Sequence, residues 1–141
     1  MTSLDPAARA AAPRLAPRAM TWAGWGLTGL ATLFMTFDIA IKLVDLQIVR
    51  DTLVQLGYPP ELGRTIGVIE LICLALYLNP RTAVLGAVLF TGVMGGAIAT
   101  HMRVGDPLFS HVLFGVYLGA ALWGGLWLRD PRLRALFPVR L

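Results

Sequence analysis

The chain has 141 residues, 57% of them hydrophobic and 14% charged. That is one domain by length, with far less charge than the roughly one-quarter a soluble domain uses to cover its surface. The net charge of +4 comes from eleven Arg and the single Lys42, offset by eight acidic residues. The Arg residues flank apolar runs and form no basic stripe interleaved with aromatics, which argues against a nucleic-acid partner.

Residues 1–18 are rich in Ala, Pro and Arg and read as a disordered basic tail. The run that follows, Ala19–Phe37, is free of charge for 19 residues. That exceeds the usual hydrophobic stretch of a signal peptide, so a retained helix is expected. Four transmembrane spans are predicted, at about 22–43, 62–78, 82–102 and 108–128, within a membrane domain of residues 19–128. Each approaches the roughly 20 residues needed to cross hydrocarbon. The second is the weakest, because Glu70 interrupts it and Pro80 follows closely; a carboxylate at a helix centre costs about 2.5–3.5 kcal/mol on insertion scales. Residues 129–141 are a second basic tail. The expected fold is therefore an all-α, integral membrane four-helix bundle.

Between spans one and two, Leu46, Val49, Leu53 and Leu56 recur every three or four residues among Gln47, Arg50, Asp51 and Gln55. This predicts an amphipathic helix, ended by Gly57 and Pro59-Pro60, lying on the outer surface of the bilayer; a lid over the bundle is the functional alternative. Orientation follows from Arg. Arg9, Arg14, Arg18, Arg81, Arg129, Arg132, Arg134 and Arg140 fall on one side, against Arg50, Arg64 and Arg103 on the other. The positive-inside rule puts both termini in the cytoplasm, where Trp22, Trp25, Trp123 and Trp127 form an aromatic belt. Gly92 with Gly96, and Gly115 with Gly119, make two GxxxG stripes suited either to packing within the bundle or to a homodimer. The lone Cys73 permits no intramolecular disulfide and reads as a packing residue.

Charges inside apolar spans need a reason. Asp38 and Lys42 are four apart on one helix face and pair with each other. At 1.5 Å per residue, Asp38 lies about 8 Å and Glu70 about 12 Å inside the outer end of the bundle. His101 closes the third span at that end and His111 opens the fourth, with Arg103 and Asp106 in the loop above. The topology thus gathers Asp38, Lys42, Glu70, His101 and His111 from four helices into the outer half. In the structural alternative, Asp38 and Lys42 form an interfacial ion pair and Glu70 is satisfied by a Thr or by Arg64. Yet Glu70 is too deep and too short to snorkel, so it must pair or hold a proton. A metal site from Glu70, His101 and His111 matches no known ligand spacing, and a haem between the two His would be poorly buried. No metal is therefore expected.

Three short motifs add a resemblance. They are Leu56-Gly57-Tyr58-Pro59 before the second span, Gly67 with Glu70-Leu71 within it, and Thr100-His101 followed by Gly105-Asp106-Pro107 after the third. Over roughly Gly24–Leu128 the chain resembles the DoxX-like family of small four-helix bacterial membrane proteins. The resemblance implies the bacterial inner membrane and a quinone-associated role beside a redox partner subunit, with Glu70 and His101 the positions most typical of the family. The family's namesake is a subunit of a thiosulfate:quinone oxidoreductase. This chain has no thiol pair, so thiosulfate chemistry does not carry over.

Three functions compete on these residues. The first is binding of a lipophilic ligand such as a quinone, with its head group near Lys42, Glu70, His101, His111, Arg103 and Asp106. The second is acid/base catalysis on a hydrophobic substrate by Asp38 and Glu70, with His101 as a further catalytic candidate. The third is a structural or assembly role with no site. A transporter is disfavoured, because no inverted repeat relates the two halves.

Overall fold

The computed structural model describes residues 18–136. The N-terminal tail expected over residues 1–18 lies outside the described residues apart from Arg18, as does the end of the C-terminal tail from residue 137. The chain forms α1 (Arg18–Leu43), α2 (Gln47–Gln55), α3 (Leu62–Leu78) and α4 (Ala83–Val104). A π-helical turn (Leu108–Val112) then leads into α5 (Phe114–Arg129) and a short α6 (Pro131–Leu136). There is no strand among the described residues. α6 falls within the second basic tail and anchors its Leu133 in the core, while Arg134 donates to the carbonyls of Trp127 and Leu128 at 3.2 and 2.5 Å.

Three helical stretches are long and apolar enough to cross a membrane: Arg18–Leu43, Ala83–Val104 and Leu108–Arg129. Large apolar side chains such as Leu33, Phe37, Ile72 and Val88 are exposed on the outer surface of the bundle, as lipid contact requires. α3 is 17 residues long, about 25 Å, against a hydrocarbon thickness of about 30 Å.

The four long helices close a ring in which α1 and α4 each pack against both α3 and α5. At the end where α1 begins and α5 finishes, glycines let backbones touch. A Cβ on Gly24 would lie 3.0 Å from the Gly125 carbonyl, and one on Gly125 would lie 2.7 Å from Thr28 Oγ1. A Cβ on Gly86 would lie 2.3 Å from the Tyr77 backbone nitrogen. Over these contacts sit the fully buried Tyr77, Phe90, Met35 and Leu122. The Tyr77 hydroxyl donates to the Leu122 carbonyl at 2.8 Å, tying α3 to α5. The Arg129 guanidinium stacks 4.5 Å from the Trp25 ring and 5.5 Å from that of Tyr77.

The other end is built differently. Of the GxxxG pairs, only Gly115 serves close packing within the chain, against Ile98 and the Met94 carbonyl. A Cβ on Gly92, Gly96 or Gly119 would meet nothing within 4 Å. The helices are joined here by α2, whose Val49 and Leu53 are buried against Gly63 of α3.

Three helices end at this side in the same way. Asp45, Gly57 and Gly105 take left-handed backbone with φ of 62°, 78° and 77°. In each case the following residue's N–H returns five residues: Leu46 to Ile41, Tyr58 to Leu53 and Asp106 to His101, at 2.8–3.1 Å. This is the Schellman cap, which satisfies orphan carbonyls and folds the next residue back over the helix end.

Candidate functional site

The residues of the α2 end line a partly open cavity of about 560 Å³. Its walls are mostly apolar: Phe34 and Met35 of α1, Leu53 of α2 and Leu56 just past its end, Ile66 of α3 and Leu118 of α5 among them. Gly92 and Gly96 line it on α4, which explains their open surroundings: the stripe forms a cavity wall. Asp38, Lys42, Glu70, His101 and His111 all line this one cavity. Arg103 and Asp106 do not reach its surface and act from behind it.

Three of the polar residues form a charged triad. Lys42 Nζ lies 2.5 Å from Asp38 Oδ2 and 2.7 Å from each oxygen of Glu70. The α-helical four-residue spacing aligns Asp38 with Lys42 on α1. Glu70 arrives from α3 because Gly67, one turn before it, lets the helices close. A Cβ on Gly67 would sit 3.0 Å from that of Lys42. Glu70 is 3% exposed, so its charge has no recourse to water and depends on the ammonium. The partner is thus Lys42 and neither a Thr nor Arg64. Arg64 turns instead to Asp45 at 3.4 Å, beside Arg50 at 2.9 Å.

The two histidines are placed by helix ends. The Schellman cap at Gly105 folds Asp106 onto His101, whose Nδ1–H donates to Asp106 Oδ2 at 2.6 Å. Asp106 therefore orients a ring that faces the cavity. His111 stands on the π-helical turn, where Val112 and Leu113 donate five residues back to Pro107 and Leu108. The wider turn brings the His111 ring to a centroid distance of 5.6 Å from His101, edge on at 61°. Its Nδ1 is 2.8 Å from the Ser110 hydroxyl. Among the described residues no group of three or more His, Cys, Asp and Glu is arranged to hold a metal ion.

Tyr58, Thr52 and Thr100 also line the cavity, and sequence reasoning had not singled them out. The signal for Tyr58 lay in its motif. The cap at Gly57 turns Tyr58 toward α4, where its hydroxyl is 3.0 Å from Thr100 Oγ1. Arg103 closes the same junction by donating to the Leu56 carbonyl and lying 5.8 Å from the Tyr58 ring. The two ties fasten the cover helix to the end of α4.

The arrangement is thus an apolar chamber with an ion triad and two imidazoles at its polar rim. Such a chamber suits an amphipathic molecule with a small polar head. Residues 26–125 match the model of the DoxX-like family. No curated protein and no solved structure matches the chain.

Proposed function

The chain belongs to the DoxX-like family of membrane proteins, and from that premise we propose that it binds a lipophilic ligand of the quinone class as part of a membrane redox system. The supporting observation is the cavity of about 560 Å³, which joins apolar walls to Asp38, Lys42, Glu70, His101 and His111. In this reading α3 crosses the bilayer as a fourth span, since neighbours in a ring relieve its short length. The termini face the cytoplasm of a bacterial inner membrane, and α2 covers the outer leaflet side. The ligand's tail enters along Gly92 and Gly96, and its head meets the triad and His101.

The test is mass spectrometry of lipids extracted from protein purified in mild detergent, with added short-chain quinone as a second arm. A bound lipophile that is lost in a Gly92→Phe variant supports the proposal, because Gly92 lines the cavity and its Cβ would meet nothing within 4 Å. Absence of any co-purified lipophile, with no binding of the added quinone, would sink it.

A second reading, acid/base catalysis on a hydrophobic substrate, draws support from the shared position of both carboxylates on one cavity and one ammonium. It requires turnover of a bound lipid that Asp38→Asn and Glu70→Gln each abolish.

A further inference from the structure

Each polar side chain on the cavity wall has a countable set of hydrogens, and their destinations define what the wall can recognise. The Lys42 ammonium has three, facing three carboxylate oxygens: Asp38 Oδ2 and both oxygens of Glu70. The Thr52 hydroxyl donates to the Ile48 carbonyl at 2.8 Å, and that of Thr100 to the Gly96 carbonyl at 2.9 Å. With the Thr100 hydrogen committed, the Tyr58 hydroxyl 3.0 Å away donates to Thr100 Oγ1. With its Nδ1 hydrogen given to Asp106, His101 offers a lone pair at Nε2 when the ring carries a single proton. Only His111, among the described lining groups, keeps both senses, because the Ser110 hydroxyl beside its Nδ1 can donate or accept.

The wall therefore offers lone pairs and few hydrogens. Asp38 accepts from Lys42 through one oxygen, leaving the other. With all three groups ionised, the triad sums to one negative charge. A ligand carbonyl would meet acceptors with its own lone pairs, which leaves polar groups on both sides unpaired in an apolar space. A ligand hydroxyl supplies the missing hydrogen. The Phe34 and Phe114 rings, packed on each other at 5.2 Å and both lining the cavity, offer apolar surface to a ring.

We propose that the cavity selects for a ring that donates a hydrogen bond, a hydroquinone or phenol, over the corresponding quinone or ether. This deepens the ligand-binding reading above and rests on it. Asp38, Glu70 and His101 act as the acceptors that read the hydroxyl, and Lys42 fixes the two carboxylates without offering a donor of its own.

The test compares 4-nonylphenol with its O-methyl ether, which share ring and tail and differ in one hydrogen. Binding to the purified full chain is measured by titration calorimetry, with an alkylated benzoquinone and its reduced form as a second pair. The phenol and the hydroquinone are expected to bind about tenfold tighter or more than their partners, the range of a hydrogen bond to a charged acceptor. Equal binding within either pair, or preference for the ether or the quinone, overturns donor selection while leaving the ligand site standing. Binding of none of the four compounds removes the ligand site and the selection together. In Asp38→Asn, which adds an amide donor, the preference is expected to shrink toward unity; an undiminished preference shows that Asp38 does not read the hydroxyl and overturns its assignment.

Discussion

The two ends of the bundle solve the same packing problem in opposite ways. At the terminal end, Gly24, Gly125 and Gly86 bring backbones together, and Tyr77 and Arg129 fill what remains. At the α2 end, Gly92 and Gly96 have nothing across from them, and the space is left to a cavity. Glycine does both jobs here, and the neighbour opposite decides which. The comparison teaches that one end is built for rigidity and the other for occupancy, with the Asp38–Lys42–Glu70 triad placed at the second.

Replacing Lys42 with Met should have the largest effect, because it leaves Asp38 and Glu70 facing each other with no cation. Removing one partner of a buried ion pair costs about 3–5 kcal/mol. Thermal unfolding in detergent should show the loss, and adding Glu70→Gln should recover much of it. No recovery in the double variant would mean that Lys42 matters for packing alone. Gly86→Ala strikes the rigid end. Its Cβ would fall 2.3 Å from the Tyr77 backbone nitrogen, where no side-chain rotation helps. A cost of about 1–3 kcal/mol is expected, read as a lowered melting temperature.

Arg103→Ala removes the tie to the Leu56 carbonyl and the Tyr58 ring. It should cost about 1 kcal/mol and show as faster amide exchange around Leu56–Tyr58, with the terminal end unaffected. Gly92→Ala should change stability by no more than about 0.5 kcal/mol, because its methyl enters open space. A large loss there would erase the distinction between the two ends.

The sequence makes some of this legible and hides the rest for definable reasons. Asp38 and Lys42 sit on one helix, so their four-residue spacing foretells the pair. The period of Leu46, Val49, Leu53 and Leu56 foretells α2, and the structure buries Val49 and Leu53. Whether Glu70 joins Lys42 depends on how α3 is rotated about its axis, which no span boundary reveals. The clue was Gly67, a small residue on the same face one turn earlier. The GxxxG stripes pointed elsewhere, since Gly86, with no glycine partner at four residues, makes the tightest approach. A motif of small residues marks where a helix permits approach, and only the opposing helix determines whether it happens. The family motifs around Gly57 and Gly105 are legible as turns. Their consequence, that each cap aims Tyr58 or Asp106 at α4, needs the three-dimensional arrangement.

Lys42 is the chain's only lysine. Isotopic labelling of lysine side-chain nitrogen would accordingly give one resonance for the entire protein, located where both carboxylates meet. That single signal would report, without mutation or probe, on every event that changes the company of one ammonium group. A single lysine among eleven arginines thus supplies a spectroscopic reporter on the wall of the chamber.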